Sequence, residues 1–333
     1  MTFSRRGFLT AGIVTAGVAG GAASAEAAPL TGGGRSVTDF GVQPGIEAAQ
    51  TAALQKAIDE IARGGHPVFF PAGHYTTGTL KIPGGCAIAG PGSAAVLHAK
   101  DAETVFETQG GATAAPLTLS GLAIDGGAAG KARGPGRPLV TVSAANVTLF
   151  HLRLTNAAGS ALRLEKCTGF LQNIAVEGAR GAGLWASDAG ALTITGCHIA
   201  ACQTEGIKVS GGKAPAGSLI GQNQITGCGG AGLAVEGSAV VTGNFVSRSR
   251  FGLRLGGGGD GHIMATGNLL RECGVGIAVT ASGETLLVSI NLINEPKEGA
   301  IRAFDGDRLV GPDLVRQSAE AYLNLIVAGN VVR

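Results

Sequence analysis

Five residues with binding chemistry recur at one place in a repeated unit. The unit is a small residue, an apolar residue, a variable one and another apolar one. It reads Ala161-Leu162-Arg163-Leu164, Gly183-Leu184-Trp185-Ala186, Gly206-Ile207-Lys208-Val209 and Gly232-Leu233-Ala234-Val235. It continues as Gly252-Leu253-Arg254-Leu255, Gly276-Ile277-Ala278-Val279 and Ala300-Ile301-Arg302-Ala303. In an extended strand the apolar pair faces one way and the residue between them the other. The outward series is therefore Arg163, Trp185, Lys208, Ala234, Arg254, Ala278 and Arg302. Guanidinium and ammonium groups bind carboxylates, and a tryptophan face stacks on a sugar ring. Such a column suits an acidic polysaccharide. It also suits a plain solvated face, because no two cations are on adjacent units. Adjacent like charges at about 5 Å would repel, and alternation spreads them to roughly 10 Å.

Catalysis on such a ligand needs more. Hydrolysis of a glycosidic bond takes two carboxyl groups about 5 to 10 Å apart. The next outward positions include Glu165 and Glu236, but these stand three units apart, roughly 14 Å. Glu205, just before the Lys208 strand, is expected to approach Glu236 on the next unit and makes the better pair. Elimination from a uronate needs a base, and a cation to neutralise the carboxylate as charge develops. Lys208 and Arg254 are the candidates for that base. No cluster of aspartates suggests a calcium site. Cys197 and Cys202 have a ligand-like spacing, yet only His198 is near, so no zinc is expected. Neither a phosphate-binding glycine loop nor a Ser/His/Asp signature is found, and no cofactor is expected.

The elements that would position these residues follow from the repeat length. The units step by 22, 23, 26, 20, 24 and 24 residues. A helix pair needs a longer unit, so each repeat is a coil of short strands joined by turns. A leucine-rich repeat has a similar length, but its fixed Leu/Asn consensus is missing. A second register agrees with the first: Asn223, Asn244, Asn268 and Asn291 step by 21, 24 and 23. Stacked asparagines at a turn can hydrogen-bond along the axis of a solenoid and satisfy amides that a buried turn would orphan. Asn330 echoes the series within a further strand pair from Tyr322 to Val332. Five residues after each of the four asparagines come Cys228, Ser249, Cys273 and Pro296, with Cys202 in the same phase one coil earlier. These stack as small apolar side chains, or Cys202 and Cys228 pair, since in-register neighbours at about 4.8 Å lie within disulfide range.

Composition agrees with frequent turning. There are 58 glycines in 333 residues, without the strict three-residue period of collagen, and 45% hydrophobic content argues against disorder. A net charge of +2 gives no basis for wrapping nucleic acid. At the N-terminus, Ser4-Arg5-Arg6-Gly7-Phe8-Leu9 precedes an uncharged Gly/Ala-rich stretch and then the small residues of a peptidase site. This is the pattern of a twin-arginine export signal over residues 1–28. Once it is removed, no stable membrane insertion is expected, since no second apolar span of membrane length follows.

Ser36-Val37-Thr38-Asp39-Phe40-Gly41 is followed by apolar residues at helical spacing, predicting a helix over 48–63 that Gly64-Gly65 ends. Val68-Phe69-Phe70-Pro71-Ala72-Gly73-His74-Tyr75 then reads as strand, turn, strand. This order resembles the opening of pectate-lyase-superfamily β-helices. It departs from them at Gln43-Pro44-Gly45-Ile46-Glu47, where many relatives carry an Asp-Gly and a further Asp. The twin-arginine start combined with the repeats resembles a family of twin-arginine-translocated repeat proteins with no assigned activity.

The resemblance implies an all-β, single-stranded right-handed parallel β-helix, a pectin-lyase-like solenoid whose N-terminal α-helix caps the open end. It would occupy residues 35–333, with the clearest repeats over 139–310. It also implies a polysaccharide lyase or glycoside hydrolase as the alternative to simple binding. β-Helix pectate lyases use an Arg or Lys base, often with calcium. The ordered Asp, His-Gly and Arg-x-Lys motifs of polygalacturonase-like hydrolases are absent here. Arg133 to Pro138 has the wrong spacing for a lyase Arg-x-Pro-x-x-Arg motif, and Asp125-Gly126-Gly127 reads as a turn. The expected protein is periplasmic or secreted. Its expected partners are the export machinery and an acidic polysaccharide held along Arg163, Trp185, Lys208, Arg254 and Arg302.

Overall fold

The computed structural model describes residues 34–102, 104–109, 115–127, 136–143, 146–211, 217–280, 283–315 and 324–333. The expected signal at 1–28, the first half of the Arg133 to Pro138 stretch, and Tyr322 lie outside the described residues. Within them the chain is a right-handed parallel β-helix. A representative coil has three short strands, Leu184–Ala189, Leu192–Thr195 and His198–Ala200. Each pairs in parallel with its counterpart one coil on: Ile207–Gly211, Ser218–Gly221 and Gln224–Thr226. The first strands of ten successive coils, from Leu80–Pro83 to Gly299–Asp305, stack into one sheet that the returning strand Arg308–Asp313 completes to eleven. Inward side chains fill the solenoid: Leu162, Ile207, Leu233, Leu253, Ile277 and Ile301 form one fully buried column.

Sharp corners between the strands come from single residues with left-handed backbone. One corner column contains Gly196, Gln222, Gly243, Gly267, Ile290 and Gly329, all with φ between 56 and 65°. The next residue along is, in turn, Cys197, Asn223, Asn244, Asn268, Asn291 and Asn330. The expected asparagine ladder is thus present, and it extends to Asn330. Each side-chain amide donates to the next Oδ1, at 3.0 Å from Asn223 to Asn244 and 2.9 Å from Asn244 to Asn268, Asn268 to Asn291 and Asn291 to Asn330. Each Oδ1 also accepts the backbone N–H of the preceding ladder residue, and each Nδ2 reaches a carbonyl of the previous coil, as Asn268 Nδ2 reaches Val241 O. Buried amides turned away from the sheet ladder are satisfied in this way.

A second column shows why glycine recurs before each outward unit. A Cβ added at Gly206 would sit 2.6 Å from Gly232 O and 2.5 Å from Ile225 Cγ2. The same conflict recurs at Gly252 and Gly276. The coil backbones approach too closely here for a side chain, and an aliphatic residue from the third strand fills the space instead.

The ends are closed by different devices. The helix, Thr51–Arg63, starts three residues later than the spacing predicts, because Gln50 turns its amide back onto Gln43 N and O. Leu54, Ala57, Ile58 and Ile61 bury its inner face. Gln55 then stands in for a missing strand: its Nε2 donates to Lys81 O at 2.9 Å, and its Oε1 accepts Lys81 N–H at 2.7 Å. The otherwise open edge is thereby covered. At the other end, where the sequence offers no clear cap, Gly299–Asp305 turns at Gly306 into the antiparallel strand Arg308–Asp313. Asp313 accepts the N–H groups of Ala300 and Ile301 and fixes the return.

Two stability changes follow. Asn268→Ala strands the Asn244 N–H and Val241 O in the interior and is expected to cost about 2–4 kcal/mol in urea unfolding, with Asn330→Ala costing less because that end is half-buried. Ile290 is a β-branched residue at φ 56° with a side chain 70% exposed. Ile290→Gly is therefore expected to raise stability by about 1 kcal/mol in the same assay.

Candidate functional site

The backbone pairing sets the outward column. Arg163 pairs with Trp185, Trp185 with Lys208, Lys208 with Ala234, Ala234 with Arg254, Arg254 with Ala278 and Ala278 with Arg302. The column extends upstream through Thr141 and Glu107 to Lys81. The order of residues is the one the repeats imply, but the column is not an open basic ribbon. Lys81 bonds Glu107 at 2.6 Å, and Lys208 Nζ lies 3.5 Å from Glu236 Oε1. Arg254 donates to Asp307 Oδ1 at 3.3 Å and to Gly306 O at 3.1 Å. Arg302 donates to Glu298 O at 3.1 Å. Arg163 lies over the Trp185 ring, 4.2 Å from its centroid.

The two alanines mark a separate environment. Ala234 and Ala278 face outward yet are only 4% and 1% exposed. They belong to a small apolar cluster with Ala231, Phe251, Val275 and Phe304, in which the two phenylalanine rings meet edge to face at 5.4 Å. The returning hairpin and this cluster cover the column around Arg254. The set expected to bind together thus divides. Arg254 and Arg302 are tied to the hairpin and its approaches. Arg163, Trp185, Lys208 and Glu205 line one groove of about 340 Å³, together with Arg180 and Thr204.

One donor among that groove's lining residues is unused. Trp185 Nε1 is buried and has no hydrogen-bond partner among the described residues. A buried indole N–H ordinarily finds an acceptor. Arg163, Lys208 and Glu205 set charge of both signs around it.

Of the expected hydrolytic pair, Glu205 lines the groove and Glu236 is held by Lys208. Glu236 pairs with Ser210, whereas Glu205 lies five residues before Ser210 in the same extended coil. Five extended residues span roughly 16 Å, beyond the separation that glycoside hydrolysis uses. Glu205 and Glu236 stand at opposite ends of the strand, with Lys208 between them and bound to Glu236. Lys208 and Arg254, the expected bases, both carry anionic partners.

The six cysteines are free thiols and all are buried. Cys202 and Cys228 face each other on adjacent coils, and the hydrogen bond between the two sulfurs, with burial, pushes the Cys202 thiol upward. His198 opens a strand, His198–Ala200. No group of three His, Cys, Asp or Glu residues able to hold a metal occurs among the described residues.

One cluster was not legible in the sequence. His74, His98 and Asp125 come together on the larger sheet, near the helix-capped end. Asp125 does form the expected turn contact with Gly127 N, but its second oxygen faces His98. No motif unites the three, because they lie 24 and 27 residues apart in the region before the repeats become regular.

A family model described as the right handed beta helix region matches residues 136–251 and 160–313, together more than half the chain. A search of curated proteins finds no match. Among solved structures, the Agl-KA catalytic domain superposes with a TM-score of 0.58 at 12% identity, covering 92% of this chain and 69% of that one. The Streptococcus pneumoniae surface protein and adhesin PfbA gives 0.56 at 13% identity, covering 90% and 97%. The Yersinia enterocolitica family 28 exopolygalacturonase gives 0.55 at 14% identity, covering 89% of this chain and 65% of that one. At these identities the likeness is one of fold.

The thiols make stability depend on pH. Burial raises Cys86 and Cys197 from 9.0 to about 11, and raises Cys273 as well. In the unfolded chain they ionise near 9, so the folded state holds protons that the unfolded state has lost between 9 and 11. Their contribution is fully present below pH 9 and is lost as pH rises toward 11. Urea midpoints are expected to fall over that window, and native protein at pH 8 is expected to resist alkylation that all six thiols undergo in denaturant.

Proposed function

Since the chain belongs to the right-handed β-helix family, we propose that it is an exported protein that binds an acidic polysaccharide in the groove of Arg163, Trp185, Glu205 and Lys208. The observation that carries this reading is a groove edged by Arg163 and Lys208 with the Trp185 indole in its lining. The guanidinium over the indole holds the ring in place, and a carboxylate approaching Arg163 or Lys208 gains a charge-assisted bond. The Lys208–Glu236 pair is half-buried and long at 3.5 Å, so a ligand carboxylate that bonds Lys208 more closely can replace Glu236. An adhesin and an exopolygalacturonase on this architecture show that it accommodates both binding and turnover. Binding is favoured here because the groove lacks a close pair of carboxyl groups.

In the same reading, residues 1–28 route the folded chain through twin-arginine export, and the protein works in the periplasm or outside the cell. The twin-arginine start and the coil repeats together support membership of the twin-arginine-translocated repeat proteins.

Trp185 is the chain's single tryptophan, so its emission reports the groove directly. Titration with polygalacturonate or alginate is expected to shift that emission, with an affinity that falls as salt rises. Lys208→Ala and Arg163→Ala are each expected to weaken binding by about tenfold. Arg254→Ala, in which a residue already held by the hairpin is removed, is expected to leave affinity within about twofold. An unchanged spectrum with both polyuronates, or equal loss in all three variants, would remove the groove from the account.

A further inference from the structure

The histidine cluster on the larger sheet has a direction built into it. His98 and Asp125 are opposite each other in register on neighbouring strands, and His74 lies one coil earlier in the adjacent outward row. Asp125 Oδ1 is fully used: it accepts Gly127 N–H at 3.2 Å, Asn156 Nδ2 at 2.9 Å and Thr155 Oγ1 at 3.3 Å. Those donors orient the carboxylate so that Oδ2 lies 3.4 Å from His98 Nδ1. On the far side of the ring, His98 Nε2 lies 2.9 Å from His74 Nδ1.

The arrangement of the two imidazoles decides between a metal site and a proton path. Their planes differ by 14° and their centroids are 5.2 Å apart. The difference between 5.2 Å and the 2.9 Å nitrogen separation is the sum of the two centre-to-nitrogen ring radii. The rings therefore lie end to end in nearly one plane, not face to face. Two imidazoles sharing a cation would converge on it at an angle, whereas a collinear pair shares a proton. With the hydrogen assigned to the nitrogen that faces the carboxylate, His98 Nδ1 points its N–H toward Asp125 and His98 Nε2 is the acceptor. His74 Nδ1 is then the donor to it. His74 Nε2 is left with a lone pair on an exposed residue.

We propose that Asp125, His98 and His74 form a proton relay whose outer end, His74 Nε2, is a general base that activates water against carboxylic esters carried on a glycan. The row running from His74 continues through Val96 and Ala123 to Arg153, so small side chains leave room beside the base. Arg153 stands three coils from His74, about 14 Å, too far to neutralise a carboxylate at a carbon that His74 would deprotonate. That distance disfavours an elimination assisted by Arg153, and hydrolysis needs no such cation. Among the described residues the His74 ring bonds only to His98, so the nucleophile is water and not a side chain.

In the reaction a water O–H bond breaks, its proton passes to His74 Nε2, and its oxygen bonds to the acyl carbon. The resulting imidazolium is stabilised through His98 by the charge of Asp125. Collapse expels the alkoxide, which recovers the proton from His74 Nε2. Carboxylic acid and alcohol are released, and the relay returns to its starting state. His74 is the catalytic residue, and His98 and Asp125 are positioning residues.

The test uses the full folded protein with 4-nitrophenyl acetate and with O-acetylated polygalacturonate, compared with free imidazole at equal concentration. Wild type is expected to exceed free imidazole by about a hundredfold. His74→Ala, at an exposed position, is expected to keep the wild-type unfolding curve and lose that excess, and added imidazole to restore part of it. His74→Gln serves if the alanine variant fails to fold. Asp125→Asn is expected to lower kcat/KM by about tenfold and to displace the pH profile. A wild type no faster than free imidazole, or a His74 variant with unchanged rate, overturns the proposal. The small ester does not need the groove on the other sheet, so this outcome is independent of the glycan-binding reading.

Discussion

In a stacked parallel coil, backbone hydrogen bonds place residue i directly beside its counterpart about 4.8 Å along the axis. A side chain's nearest neighbours are therefore set by coil phase and not by sequence distance. Every feature of the molecule is written in columns for this reason: the aliphatic interior, the glycines where backbones close up, the amides at the corner and the mixed outward row. Coil length varies from 20 to 26 residues, yet the phase is kept, so extra residues are expelled into turns. A residue is constrained twice, once by the coil below and once by the coil above. Gly206 is hemmed in further by its own coil, since the carbonyl of the next coil and the Ile225 side chain both occupy the space a Cβ would take.

The same geometry explains how the outward face was partitioned. A column with alternating cations offers each one a slot beside it, and anions from other positions fill those slots. Lys208 draws Glu236 from the following coil, and Arg254 draws Asp307 from the reversing hairpin. Where the slot holds alanine, phenylalanines from neighbouring positions lie over it and make an apolar lid. Between Arg163 and Lys208 the row keeps a concave opening.

Coil phase was readable because it depends on residues that tolerate few alternatives. Asparagine at the ladder and glycine at the close approach each solve a local problem that other side chains do not. The outward column was readable for the same reason, and its order in space follows from alternation alone. The partners were not readable. Asp307 belongs to a hairpin outside the repeat, so no period points to it. Glu205 and Glu236 were paired because adjacency of coils was counted and distance along the strand was not. His74, His98 and Asp125 lie where coils are irregular and occupy two different rows, so neither spacing nor composition joins them. The helix start shifted to Thr51 because the Gln50 side chain prefers the Gln43 backbone to a further helical turn.

The amide ladder has one more property. All four links run the same way, each nitrogen donating toward the coil that follows it. Aligned amide dipoles add, as peptide dipoles do in an α-helix, and hydrogen-bonded chains polarise one another in a low-dielectric interior. Parallel strands contribute little net dipole of their own. The solenoid thus has an electrical polarity along its axis, with its negative pole toward Asn223 and its positive pole toward Asn330. Two charges identical in exposure but placed at opposite ends of that interior column would sit at different potentials.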